Sequence, residues 1–213
     1  MLKWLTMKHQ NLYLIGLTGG IACGKSTVIG QLNGLGAQTI DADRVTHQVQ
    51  QPGTPTYAAI AAAFGAGVLS VPDGPIDRRA LGAIVFADPA RLRELEQIVH
   101  PAVRAAIRAW LDGVGDAAAA RGERAVAVID AIKLIESSWA SECDAIWVVA
   151  CAPEQQVERL IRTRGLSEGE AQARIAAQPP QASRLAHASV VIDNSGPPEA
   201  TQAQVAAAWA AIG

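Results

Sequence analysis

The amino-acid sequence predicts an α/β protein: a parallel five-stranded sheet flanked by helices, with a helical insertion and a short helical lid. Three observations predict it. A strand, a loop and a helix near the start hold the pattern GxxxxGK[ST], read as Gly19-Gly20-Ile21-Ala22-Cys23-Gly24-Lys25-Ser26. Five short apolar runs each give way to polar or turn residues, the signature of strands buried on both faces. Between the second and third runs lies a long stretch, 44–123, with little strand character and a helical pattern.

The first strand is Leu12-Tyr13-Leu14-Ile15-Gly16-Leu17, and the loop after it opens into the helical run Thr27-Val28-Ile29-Gly30-Gln31-Leu32. Gln38-Thr39-Ile40 is the second strand and leads into Asp41-Ala42-Asp43. In the insertion, helical stretches are expected at Tyr57 to Phe64, Arg79 to Phe86 and Asp88 to Trp110, with Pro52, Pro55, Pro72 and Pro75 marking loops. Asp88-Pro89 suits a helix start, since Asp caps and Pro fits the first turn. Alanine-rich Asp116 to Ala120 reads as a helix end and linker. The third strand, Ala125 to Ile129, ends at Asp130, and the fourth, Ala145 to Ala150, at Cys151. A second insertion, 165–185, opens with Ser167-Glu168-Gly169-Glu170, a capping-box pattern. With Arg162, Arg164, Arg174 and Arg184 in and beside it, it reads as a phosphate-closing lid. Val190-Val191-Ile192 is the fifth strand, followed by Asp193-Asn194 and a helix over Pro197 to Ile212. The core is therefore 11–43, 124–164 and 186–213. The first ten residues read as an irregular extension, with Met7 as an alternative start.

Half of the 213 residues are hydrophobic and 18% are charged, so a packed core is expected and disorder is not. A formal net charge of −2 argues against a general nucleic-acid or membrane-surface binder. Three cysteines without CxxC or metal spacing point to reduced thiols and a cytoplasmic setting.

The chemistry centres on the glycine-rich loop. Glycines allow a tight turn that aims successive N–H groups at an anion, and the helix behind it adds its positive end. Gly20, Ile21, Ala22, Cys23, Gly24, Lys25, Ser26 and Thr27 form the nucleotide-binding set. Lys25 reaches the outer phosphates of ATP, and the Ser26 hydroxyl joins the coordination of Mg²⁺. Asp41 and Asp43 stand at the carboxyl end of a strand. Either can accept a proton or serve the metal's water shell, or one can simply cap the next helix. Asp130 has the place of a carboxylate that meets Mg²⁺ through water, its alternative being an ordinary strand-end turn. Arg78 suits an anionic substrate group or a solvated face, and His100, before Pro101, suits a ligand role or a buried histidine at a kink. Cys23, beside Lys25 at a helix N-terminus, is expected to be alkylated before Cys143 and Cys151.

Taken in order, these segments resemble the dephospho-CoA kinase family from Tyr13 to about Gly196. The residues that carry the resemblance are Gly16-Leu17-Thr18-Gly19-Gly20-Ile21-Ala22-Cys23-Gly24-Lys25-Ser26, Asp41-Ala42-Asp43, Pro52-Gly53, Phe64-Gly65, Asp77-Arg78, Phe86-Ala87-Asp88-Pro89, His100-Pro101 and Ile192-Asp193-Asn194-Ser195-Gly196. The resemblance implies a P-loop nucleotide-kinase-like fold and transfer of the ATP γ-phosphate to the ribose 3′-hydroxyl of dephospho-CoA. It implies that Asp43 is the base, that Lys25 and the lid's Arg164 meet the phosphates, and that Asn194 belongs to the nucleotide site. It makes the helical insertion the acceptor-binding subdomain, with Asp41, Asp43, Arg78 and His100 as its contacts.

The chain departs from the family at three places. Ala22-Cys23 replaces glycine-serine, which requires a negative φ at Ala22. Asp130-Ala131-Ile132-Lys133-Leu134-Ile135-Glu136 lacks the family's proline and gains Lys133. In the lid the family arginine aligns with Thr163 without gaps and with Arg164 after a one-residue shift, and Arg164 supplies the cation. Another small-molecule P-loop kinase would share the cradle but lack Asp77-Arg78 with His100-Pro101. A GTPase-type switch would carry asparagine-lysine-x-aspartate, which this sequence does not.

Overall fold

Strand β1 (Leu12–Gly19) is buried along its whole length because it lies in the middle of a sheet covered on both faces. The computed structural model describes residues 11–212; the expected N-terminal extension and Met7 lie outside them. The sheet is all parallel, in the order β2-β3-β1-β4-β5, with β2 at Gln38–Asp41, β3 at Ala125–Asp130, β4 at Ala145–Ala150 and β5 at Val190–Asp193. All five strands stand where the apolar runs predict them. β1 pairs with β3 on one side, Leu17 opposite Asp130, and with β4 on the other, Gly19 opposite Val149. Adjacent parallel strands end on the same side, so the β1 loop and the end of β3 meet.

Two compact units divide the chain: Met1–Ile40 with Gly113–Gly213, and Asp41–Asp112. In the first, Tyr13, Ile15, Leu17, Val28, Leu32, Val128, Trp147, Val149, Ile192 and Val205 share one core. Helices α1 (Lys25–Gly34), α6 (Pro153–Arg164), α7 (Glu168–Ala176), α8 (Gln181–Leu185) and α9 (Pro198–Ala210) belong to it. α7 begins at a complete capping box between Ser167 and Glu170. These hydrogen bonds hold the Glu170 carboxyl below its ordinary value of 4.5.

The second unit has its own core of Ile60, Val68, Leu81, Val85 and Val99. Its helices are α2 (Ala42–Val49), α3 (Pro55–Phe64), α4 (Arg78–Ala87) and the greater part of α5 (Pro89–Ala120). Thr54 and Asp77 cap α3 and α4, and Asp88 accepts from the N–H of Ala90 at 2.7 Å to open α5. α5 is longer than the sequence suggests. It passes through Pro101, which removes one rung of its hydrogen-bond ladder, and continues over Asp116 to Ala120. Alanine favours helix, so the stretch read as an end and linker extends it until Gly122, at φ 66°, turns the chain. Among the described residues no helix is long and apolar enough to cross a membrane.

Candidate active site

The loop between β1 and α1 is shaped by close approaches. A Cβ at Gly19 would stand 2.6 Å from the Val149 carbonyl oxygen, so only glycine lets the chain leave β1 there. Gly24 has φ 91°, and a Cβ on it would fall 2.0 Å from Nδ2 of Asn194. No side chain caps α1 at Gly24. The first N–H groups of a helix have no partners within it, so this end offers donors and a positive dipole to an anion.

Ala22 corrects one expectation: its φ is +58°, not negative. A left-handed alanine costs about 1–2 kcal/mol. It persists because neighbouring peptides are held from outside. Arg159 on α6 donates from Nη1 to the Ala22 carbonyl at 3.2 Å and from Nη2 to the Asn194 carbonyl at 2.7 Å. Asn194 donates from Nδ2 to the Cys23 carbonyl at 2.8 Å and accepts from the Thr201 hydroxyl at 2.8 Å. Gln156 donates to the Ile21 carbonyl at 2.7 Å, and the Ile21 N–H donates to Oε1 of Gln178 at 2.9 Å. Asn194, expected to meet the nucleotide, is thus buried behind the loop with its carboxamide engaged by the protein. Arg159, Gln156 and Gln178 lie outside the set read from the sequence. Their partners in the loop are more than 130 residues away, and no local pattern marks them.

Lys25 leaves the loop toward the end of β3, and its Nζ lies 2.5 Å from Oδ1 of Asp130. Thr18 and Leu17 fix the chain after Asp130: Thr18 Oγ1 donates to the Ile132 carbonyl at 3.1 Å, and the Ala131 N–H donates to Leu17 at 3.1 Å. In the segment unlike the family, Leu134 is buried against Gly16 while Lys133 is exposed. Ser26 is exposed at the first turn of α1. Hydroxyl and carboxylate oxygens suit Mg²⁺, which keeps several waters and takes few protein ligands. Among the described residues no group of three or more His, Cys, Asp or Glu side chains gathers that could hold a metal ion.

Cys23 is fully buried within the loop. The Cys151 thiol donates to its sulfur and brings its pKa down to about 7, against the opposing effect of burial. Gln156 Nε2 also approaches that sulfur at 3.3 Å. The same contact and burial push the Cys151 thiol up. The electrostatics agree with a reactive Cys23, but burial opposes ready alkylation.

Arg164 ends α6, exposed, just before Gly165 at φ 64°. Thr163 turns back on its own helix, donating to the Arg159 carbonyl at 2.6 Å. In the second unit, Asp41 caps α2 by accepting from the N–H groups of Asp43 and Arg44 at 2.8 and 3.0 Å. Asp43 is exposed in the first turn of α2, its carboxylate not used in capping. Arg78 Nη1 lies 2.9 and 2.6 Å from the two ring nitrogens of His47. His100 is exposed, which removes the buried-histidine reading.

The family model for dephospho-CoA kinase (CoaE) matches residues 13–199. The chain belongs to the dephospho-CoA kinase family. A dephospho-CoA kinase of Symbiobacterium thermophilum is 50% identical over 93% of this chain and 80% of its own length. One from Geobacter sulfurreducens is 46% identical over 92% of this chain and 97% of its own. Among solved structures, TT1252 from Thermus thermophilus superposes with a TM-score of 0.79 at 30% identity, covering 94% of this chain and 98% of its own. The left-handed alanine at position 22 and the exposed Lys133 are therefore features carried within this family's frame.

Proposed function

We propose that this chain transfers the γ-phosphoryl group of ATP to the ribose 3′-hydroxyl of dephospho-CoA, giving coenzyme A and ADP. The observation that carries this reading is the family match over residues 13–199, which spans both the phosphate loop and the helical unit. The loop's N–H groups and the start of α1 receive the phosphates, and Lys25 exchanges Asp130 for the transferring phosphoryl group as charge shifts onto its oxygens. Ser26, and Asp130 through water, would hold Mg²⁺, which when bound neutralises charge on the phosphate oxygens. Asp43 takes the proton of the 3′-hydroxyl as its oxygen attacks phosphorus and the bond to ADP breaks. One fact supports Asp43 over Asp41: Asp41 is occupied as the cap of α2, whereas the Asp43 carboxylate takes no part in capping. Arg78 and His100 contact the acceptor, and the lid over 165–185 closes on the nucleotide with Arg164 as its cation.

The same reading places the reaction in the cytoplasm, where free thiols such as Cys23, Cys143 and Cys151 stay reduced. The partner is a small molecule, with no nucleic acid involved.

The test is ADP release coupled to an indicator reaction, with a panel of acceptors: dephospho-CoA, adenosine, a nucleoside monophosphate, shikimate and gluconate. Turnover with dephospho-CoA alone supports the reading. A preference for any other acceptor, or ADP release without an acceptor, overturns it.

A further inference from the structure

Two glutamines hold the backbone of the same residue of the phosphate loop, one on each of its peptides. Gln156, on α6, donates to the Ile21 carbonyl at 2.7 Å; Gln178 accepts from the Ile21 N–H at 2.9 Å. Both stand over Gly20, where an added Cβ would come 2.9 Å from Gln156 Nε2 and 3.7 Å from Gln178 Oε1. They differ in what carries them. Gln156 sits within α6 and is buried. Gln178 lies two residues beyond the end of α7, the lid helix, and is followed by Pro179-Pro180 and α8. The Gln178 N–H donates to the Ile175 carbonyl at 3.1 Å, which ties Gln178 to the last turn of α7, so it moves with that helix. One residue along the loop, Ala22 is in the left-handed region and depends on bonds from outside to remain there.

We infer that Gln178 is a positioning residue, a latch through which the lid sets the shape of the phosphate loop. With the lid in place, Gln178 holds Ile21 and the loop keeps its nucleotide-binding form. When α7 swings away, Gln178 leaves, Ile21 keeps only Gln156, and the loop relaxes around Ala22. Coupling of this kind is reciprocal: nucleotide on the loop favours the closed lid as much as the closed lid favours nucleotide. The inference rests on the kinase reading of the lid.

Hydrogen exchange of the full chain, without nucleotide, separates the two glutamines. In Gln178→Ala, exchange at the Ile21 amide and through α7 should rise together, each by about 10-fold, the loss of a hydrogen bond and its coupling. Gln156→Ala should loosen the loop and leave α7 as in the wild type. Gln178→Glu keeps an acceptor oxygen, so it should restore protection of Ile21 to within about 2-fold of wild type. ADP affinity should fall by roughly 3- to 10-fold in Gln178→Ala, and KM for ATP should rise while KM for the acceptor stays fixed. Unchanged exchange in α7, or exchange of Ile21 in Gln178→Glu as fast as in Gln178→Ala, would overturn the latch. Exchange and ADP binding need no acceptor. Failure of the acceptor panel would therefore sink the function and leave the latch result standing.

Discussion

Nζ of Lys25 and Oδ1 of Asp130 face each other at 2.5 Å, with side chains only 17% and 12% exposed. The pair exists because Asp130 lies opposite Leu17 in the parallel register, which brings the end of β3 beside the loop that carries Lys25. Asp130 thus keeps the lysine aimed while no phosphate is bound. Removing either partner leaves the other short of a counter-charge in a poorly hydrated place. Lys25→Ala should lower kcat by about 10²-fold or more, because its charge matters most in the transition state. Asp130→Asn should shift the Mg²⁺ dependence of turnover to higher concentration. Steady-state rates over a Mg²⁺ series check both, and near-normal turnover of Lys25→Ala at saturating ATP would remove the lysine from the mechanism.

Asp41 and Asp43 should part company on mutation. Asp41 accepts two backbone hydrogen bonds at the start of α2, so Asp41→Ala should cost about 1 kcal/mol of stability. Asp41→Asn should cost less, because asparagine caps as well as aspartate does. Asp43→Asn should keep the fold and lower single-turnover transfer by about 10²–10⁴-fold, the effect of losing a general base. Urea unfolding and rapid-quench transfer to dephospho-CoA measure the two quantities. A fully active Asp43→Asn with an inactive Asp41→Asn would reverse the assignment.

Ala22→Gly should stabilise the protein. Relief of the left-handed strain is worth about 1–2 kcal/mol, and the freer unfolded chain takes back about 0.4–1 kcal/mol. The net gain should be roughly 0–1.6 kcal/mol, read as a higher urea midpoint with an unchanged slope. A lower midpoint would show that the alanine methyl group packs more usefully than its backbone strains.

Cys23 should titrate near neutrality. Its pKa of about 7 comes chiefly from the Cys151 thiol that donates to it. Thiolate absorbance near 240 nm should therefore grow as pH rises through about 7, well below the ordinary thiol value of 9.0. Cys23→Ser should abolish that step, and Cys151→Ala should move it upward. Alkylation should nonetheless be slow, since the sulfur is buried and reaction waits on local opening of the loop. MgATP, by holding the loop, should slow it further. The lack in the wild type of a step near pH 7 that Cys23→Ser removes would contradict the hydrogen-bonded arrangement.

Residues whose environment is set by their neighbours in sequence were the readable ones. Strands buried on both faces leave continuous apolar runs, so Ala125 to Ile129 and Ala145 to Ala150 could be placed without a structure. The capping box at Ser167 and the cap at Asp88 are written in three or four residues. The glycine-lysine-serine loop announces its chemistry, but not what holds it in shape. Gln156, Arg159 and Gln178 act on loop peptides more than 130 residues away, and nothing local marks a glutamine that will meet a backbone group. The backbone of Ala22 is hidden from the sequence for the same reason. Its φ is imposed by surrounding hydrogen bonds that its own side chain does not suggest.

The central place of β1 has a consequence for how the protein is made. Its two neighbours, β3 and β4, follow it by about 110 to 130 residues. At a synthesis rate of about 5–20 residues per second, the strand that carries the phosphate loop waits on the order of ten seconds for its partners to emerge from the ribosome. During that interval an apolar segment with two unpaired edges is in the open, while the helical unit encoded after it can already form its local contacts. Newborn chains should therefore depend on chaperones more than refolding chains do, and the earliest nucleotide-binding competence should appear only after β4 has been released.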